Sequence, residues 1–200
     1  MKELRPCQEK SINAGLFDEK NLLVCTPTAS GKTLVAELAF LNNLKERKGK
    51  TIYIVPLKAL ASEKYNEFKK RYKGIARIGL SIGNTDSAEP YLEKFDVIIT
   101  TSEKFDSLIR HHTPWLTKVS TLIADEIHLL NDPGRGPTLE IIITLLRSVI
   151  KNIHILGLSA TIGNPTELAK WLDAEPVIDY WRPVKLYEGV YNNSKIYYNE

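Results

Sequence analysis

Apolar residues in this chain fall into short unbroken runs separated by longer stretches with helical spacing. The runs lie at 21–26, 51–56, 76–82, 96–101, 120–125 and 153–159. Hydrophobicity that is continuous rather than alternating marks strands buried on both faces. Between the runs, helical patterns occupy the neighbourhoods of 6–17, 32–47, 58–71, 103–110, 136–150 and 165–172. Strand and helix alternating at this spacing predict an α/β fold, a mostly parallel sheet with helices on both faces. In such sheets ligands bind beyond the carboxyl ends of the strands. The segment 184–200 reads differently: two β-prone stretches flank Asn192-Asn193-Ser194, which predicts a hairpin or an exit strand.

Composition changes this picture little. A length of 200 residues fits one domain, and a chain with 43% apolar residues can build a core without a disulfide or a metal. The balance of 27 basic against 24 acidic residues permits phosphate contact without arguing for it. Cys7 and Cys25 lack metal-ligand spacing, and Cys25 reads as a buried residue of the first strand. No apolar signal core opens the chain, and no run approaches the ~18 residues of a membrane span. A cytoplasmic protein without a membrane partner is expected.

Candidate chemistry sits at the strand ends. The first run leads into Thr26-Pro27-Thr28-Ala29-Ser30-Gly31-Lys32-Thr33, and a helix follows at once. A Gly-Lys-Thr at a helix start offers backbone N–H groups and the positive dipole end to an anion. Gly31 lets the backbone approach phosphates, Lys32 supplies a charge for the β- and γ-phosphates, and the Thr33 hydroxyl can ligate Mg²⁺. Thr26 stands where the general motif has glycine, which makes the loop stiffer. The run Thr121-Leu122-Ile123-Ala124 ends in Asp125-Glu126-Ile127-His128. Asp125 would hold Mg²⁺ as a hard oxygen ligand, and Glu126 is placed to polarise an attacking water. ATP and Mg²⁺ are the cofactors these two segments imply.

Together the segments resemble the superfamily-two helicases of the DExH type, and within them the Ski-like branch. Thr26–Thr33 is similar to motif I and Asp125–His128 to motif II, while Ser159-Ala160-Thr161 matches motif III. Pro56-Leu57-Lys58-Ala59-Leu60-Ala61 matches motif Ia, and Thr101-Ser102-Glu103-Lys104 matches motif Ib. Leu4-Arg5-Pro6-Cys7-Gln8 looks like the Q motif, with Gln8 pairing with the adenine edge. Arg135-Gly136 and Trp181-Arg182-Pro183-Val184 also fall where that branch has them, and the archaeal Hjm-type repair helicases are similar over nearly the whole chain.

The resemblance implies a RecA-like P-loop domain at 1–183, with 184–200 leading toward a second RecA-like domain in cis beyond Glu200. That second half would carry motifs IV, V and VI and the arginine finger, so residues 1–200 alone are expected to unwind nothing. It also implies a 3′→5′ ATP-driven DNA motor for repair and for stalled or branched forks, in an archaeal cytoplasm at the nucleoid. A Ski-like RNA helicase is the alternative. Thr28, Ala29, Ser30, Gly31, Lys32 and Thr33 would bind the nucleotide. His128, Ser159 and Thr161 would couple ATP state to grip. Pro56, Lys58, Ala59, Thr101, Ser102 and Glu103 would face nucleic acid. Gly83-Asn84 departs from the Gly-Asp usual in the Hjm type.

The remaining features read as structural. The basic run of Lys58, Lys64, Lys69, Lys70, Arg71 and Lys73 is for the most part a solvated face. His111 and His112 point different ways on any regular element, against a metal site. Trp115, Trp171 and Trp181 read as core anchors. A small-molecule kinase would need a lid and would leave Ser159-Ala160-Thr161 unexplained. A non-hydrolysing nucleotide module is opposed by intact Lys32, Asp125 and Glu126.

Overall fold

Six of the seven strands in the main sheet form where the apolar runs lie: β1 (Leu22–Cys25), β2 (Lys50–Val55), β3 (Ile78–Ser81), β4 (Val97–Thr101), β5 (Val119–Ala124) and β6 (His154–Ser159). The seventh, β7 (Glu175–Ile178), has no counterpart in the hydrophobic pattern. The structure is a computed structural model, and it describes residues 3–83, 87–185, 187, 189–192 and 195–198. Asn84, and Asn193 and Ser194 of the expected hairpin, therefore lie outside the described residues.

The strand order is β3-β4-β2-β5-β6-β1-β7, and every pairing is parallel. Successive side chains of a strand point to opposite faces, so each run feeds two cores. Leu23, Ile52, Ile54, Ile98, Leu122 and Ile155 pack on one face beneath α4 (Ser102–Arg110), α5 (Gly136–Val149) and α6 (Pro165–Leu172). Leu22, Val24, Tyr53, Ile99, Ile123 and Leu156 pack on the other, under α1 (Pro6–Asn13), α2 (Lys32–Lys45) and α3 (Lys58–Arg71). Trp115 is a core anchor and Trp171 packs against the same cluster.

Proline explains why β7 escaped the pattern. Pro176 interrupts a four-residue stretch, and proline belongs on edge strands, which is where β7 lies. The N–H groups of Glu175 and Asp179 donate inward, to the carbonyls of Asn21 and Cys25. By the alternation of a parallel ladder, position 176 faces away from β1, so no ladder bond is lost there.

Near the chain end, β8 (Gly189–Asn192) pairs antiparallel with β9 (Lys195–Tyr198) in a separate two-stranded sheet. No helix among the described residues is long and apolar enough to cross a membrane.

Candidate nucleotide and nucleic-acid site

The strand order decides what meets what. β1, β6 and β5 are neighbours, with Cys25 in register with Ser159 and Ala124 with Gly157. Segments that start 25, 125 and 159 residues into the chain therefore emerge side by side at the carboxyl edge of the sheet.

The phosphate loop is held in an uncommon backbone shape. Ala29 has φ 64° and Gly31 has φ 106°, the left-handed region that glycine enters without a Cβ clash. A Cβ on Gly31 would also meet Gln8 Nε2 at 2.4 Å. Ser30 turns its hydroxyl inward to Thr26, 2.7 Å away. Thr26, the departure from the usual glycine, thus stiffens the loop from within. Thr28 and Ala29 are exposed, and Gly31, Lys32 and Thr33 are half-buried.

The Lys32 ammonium lies on two main-chain carbonyls, Thr26 at 2.9 Å and Ser159 at 2.8 Å. Burial lowers its pKa, and the charges of Glu126 and Asp125 pull it back up. Both carboxylates are therefore within electrostatic reach of the lysine. A lysine resting on neutral carbonyls has exchangeable partners, because a phosphate oxygen forms the stronger, charge-assisted bond.

Asp125 leaves β5 with Oδ2 accepting from the Tyr53 hydroxyl at 2.9 Å and Oδ1 from the Glu126 N–H at 3.1 Å. Glu126 takes φ 54° and turns the chain into a short 3₁₀ segment, Ile127–Asn131. His128 Nδ1 lies 3.3 Å from Glu126 Oε2 and 3.5 Å from Ser159 Oγ. The histidine thus stands between the acidic strand end and the end of β6. Thr161 is exposed. Gly136, at the start of α5, allows a close approach: a Cβ there would meet the Leu130 carbonyl at 2.1 Å.

The start of α1 and the residue that caps it grip the loop through three side chains. Arg5 donates to the Ala29 carbonyl at 2.6 Å, Cys7 to Ser30 at 3.3 Å and Gln8 to Gly31 at 3.2 Å. Gln8 Oε1 also accepts from the Arg5 N–H at 2.9 Å, and Gln8 is only 5% exposed. Each end of the amide keeps one further bonding position, so the residue sensed as a base reader is first of all a brace on the loop.

Of the track candidates, Lys58 and Ala59 are exposed at the start of α3, and Pro56 is half-buried. Thr101 and Ser102 are buried, with the Thr101 hydroxyl accepting from the Lys104 N–H as the cap of α4. Glu103 faces solvent. The segment's lysine, Lys104, is buried and ion-paired with Glu89 at 3.1 Å.

Two sequence readings need correction. Lys64 is not part of a solvated face: its ammonium is half-buried and donates to Thr33 Oγ1 at 3.0 Å. Trp181 is not a core anchor, because it is 39% exposed and carries the Arg5 guanidinium 5.7 Å over its ring. Tyr53 was missed altogether. Nothing local marks it, since its partner lies 72 residues further on.

Residues 5–168 match the family model described as DEAD/DEAH box helicase. The chain is 54% identical, over 97% of its length, to the ATP-dependent DNA helicase Hel308 of Methanocaldococcus jannaschii, and covers 17% of that protein. Against the Hel308 proteins of Methanococcus vannielii and Pyrococcus abyssi it is 52% and 48% identical over 99% and 100% of its length, covering 27% and 28% of theirs. It thus spans between about a sixth and little more than a quarter of these curated relatives. The matched residues contain the parallel α/β sheet's phosphate loop and acidic strand end, and the chain belongs to the DEAD/DEAH box helicase family.

Proposed function

We propose that residues 1–183 are the first ATP-binding motor domain of an ATP-dependent 3′→5′ DNA helicase acting in repair and at stalled or branched forks. Residues 184–200 would lead toward a second RecA-like domain in cis, and the protein would work at the nucleoid in an archaeal cytoplasm. The observation that carries this reading is the convergence of Lys32, Asp125–Glu126 and Ser159 from three adjacent strands. That the relatives are DNA helicases supports DNA over RNA.

In this reading Lys32 exchanges the Thr26 and Ser159 carbonyls for the β- and γ-phosphates of ATP, joined by the N–H groups at the start of α2. Thr28, Ala29, Ser30 and Gly31 shape that cradle, and Gln8 offers its remaining amide positions to the adenine edge. The donor set suits Mg²⁺: Thr33 and Asp125 supply hard oxygens, and Asp125 keeps lone pairs beyond the two its neighbours use. When bound, the ion neutralises charge on the phosphates. Glu126 takes the proton of the attacking water, held near His128. His128, Ser159 and Thr161 transmit the state of the site. Lys58 and Ala59, with Pro56, present the exposed part of the nucleic-acid track, while Thr101, Ser102 and Glu103 contribute chiefly their main chain at the head of α4.

The test is ATP hydrolysis with and without single-stranded DNA, using a protein that carries both motor halves and its Glu126→Gln variant. A DNA-stimulated rate that the variant lowers ~10²–10⁴-fold is expected. A rate indifferent to DNA and to the substitution would overturn the reading. Residues 1–200 alone should bind nucleotide weakly and unwind nothing, because removing an arginine finger costs ~10³–10⁵ in rate. Competition between DNA and RNA strands of one sequence decides the nucleic acid, and a preference for RNA would move the assignment to a Ski-like RNA helicase.

A further inference from the structure

Tyr53 occupies a strand position whose neighbours, Ile52 and Ile54, are aliphatic. A tyrosine there brings a hydroxyl into the core, and Tyr53 is wholly buried. Its ring packs edge-on against Phe68 of α3, with centroids 5.6 Å apart and planes at 73°. That contact aims the hydroxyl up the sheet toward the end of β5, where it donates to Asp125 Oδ2 at 2.9 Å. Asp125 is the only hydrogen-bond partner of that hydroxyl among the described residues. Should the carboxylate turn away, a buried donor would be left unsatisfied, which is costly.

The other carboxylate oxygen is fixed as well, by the Glu126 N–H at 3.1 Å. Asp125 is therefore gripped from two sides: by a side chain of β2, and by the turn that follows β5. A carboxylate offers about four acceptor positions, so the two left over are held in fixed directions. The Asp125 N–H adds a third tie, to the Ile54 carbonyl at 2.9 Å.

We infer that Tyr53 is a positioning residue for the metal-binding carboxylate, setting Asp125 in the orientation that takes a divalent cation beside the nucleotide. This rests on the ATP–Mg²⁺ reading above. Outer partners of this kind typically govern metal affinity by ~10–100-fold. Tyr53 touches neither nucleotide nor metal, and acts only through Asp125.

The experiment titrates a fluorescent N-methylanthraniloyl ADP into the full 200-residue chain, first in EDTA and then at rising Mg²⁺. Wild type, Tyr53→Phe, Asp125→Asn and the double variant are compared. Tyr53→Phe keeps the ring and its packing, so affinity in EDTA should be unchanged while the Mg²⁺ midpoint rises ~10–100-fold. Mn²⁺ binding followed by electron paramagnetic resonance should shift equally. The double variant should be no weaker than Asp125→Asn, and p-aminophenylalanine at position 53, which restores a donor, should recover most of the loss. A wild-type Mg²⁺ midpoint in Tyr53→Phe would overturn the inference, as would a loss additional to that of Asp125→Asn. Nucleotide binding by the wild type that ignores Mg²⁺ would instead remove the underlying ATP–Mg²⁺ reading, and the inference with it.

Discussion

Two lysines at opposite ends of the sheet make the same kind of bond and carry different consequences. Lys32, at the carboxyl edge, rests on the carbonyls of Thr26 and Ser159. Lys50, at the amino edge, rests on those of Glu93 and Phe95. Burial lowers the pKa of both. The surroundings differ. Around Lys32 stand a loop in left-handed conformation and two carboxylates at a strand end. Beside Lys50 the polar side chains are already paired: Asn43 donates to the Gly49 carbonyl and Thr51, and accepts from Ser120. A lysine becomes a ligand-binding residue through what its neighbours leave open, more than through its own contacts.

The sharpest way to break this comparison is to remove each ammonium in turn. Lys32→Ala should weaken nucleotide binding by about 10–100-fold, the worth of a charge-assisted bond. It should lower the unfolding free energy by only ~1 kcal/mol, since the Thr26 carbonyl loses this donor while the Ser159 carbonyl still accepts from the Thr26 N–H. Equilibrium fluorescence and urea unfolding measure the two quantities. Comparable nucleotide affinity in the variant would erase the distinction between the ends.

Lys50→Met should do the opposite. It keeps the apolar stem but strips two carbonyls of their donor, for a loss of about 1–3 kcal/mol in stability. Nucleotide affinity at a temperature where the variant is folded should match wild type. A selective loss of binding would show that the amino edge is not merely structural.

The smallest effect is one of pH, also at the amino edge. His154 is buried with Nε2 unpaired, as is the hydroxyl of its register partner Thr121. Burial lowers the His154 pKa below its ordinary 6.5, with Glu19 opposing and Lys48 reinforcing the shift. The unfolded chain then takes up a proton that the folded chain refuses. This stabilising contribution is complete above about pH 6.5 and is lost as pH falls through the folded value. One proton limits the slope to ~1.4 kcal/mol per pH unit. His154→Leu should flatten it in melts taken from pH 7 to 5, and an unchanged slope would assign the acid sensitivity elsewhere.

What the sequence disclosed follows the range of the interactions. Strands buried on both faces write themselves as apolar runs, and α3 and α6 fall where their spacing places them. The phosphate loop and the acidic strand end are local strings, legible because a few adjacent residues carry the chemistry. Tyr53 and Lys64 were hidden because each meets its partner only after the sheet is assembled, 72 and 31 residues away. Trp181 misled because a large indole is usually buried, whereas here it lies half in solvent under a guanidinium. Gln8 was read for a ligand, yet its nearest obligations are to Arg5 and Gly31.

Pro176 has a consequence outside the nucleotide site. A sheet edge is a template on which another chain can add a strand, and open edges invite polymerisation. On β7 the outward-facing position 176 has no N–H to offer, while the inward-facing donors stay engaged with β1. An incoming strand would find its central acceptor unanswered there. The residue that hid this strand from its hydrophobic pattern is also what discourages the sheet from growing past it.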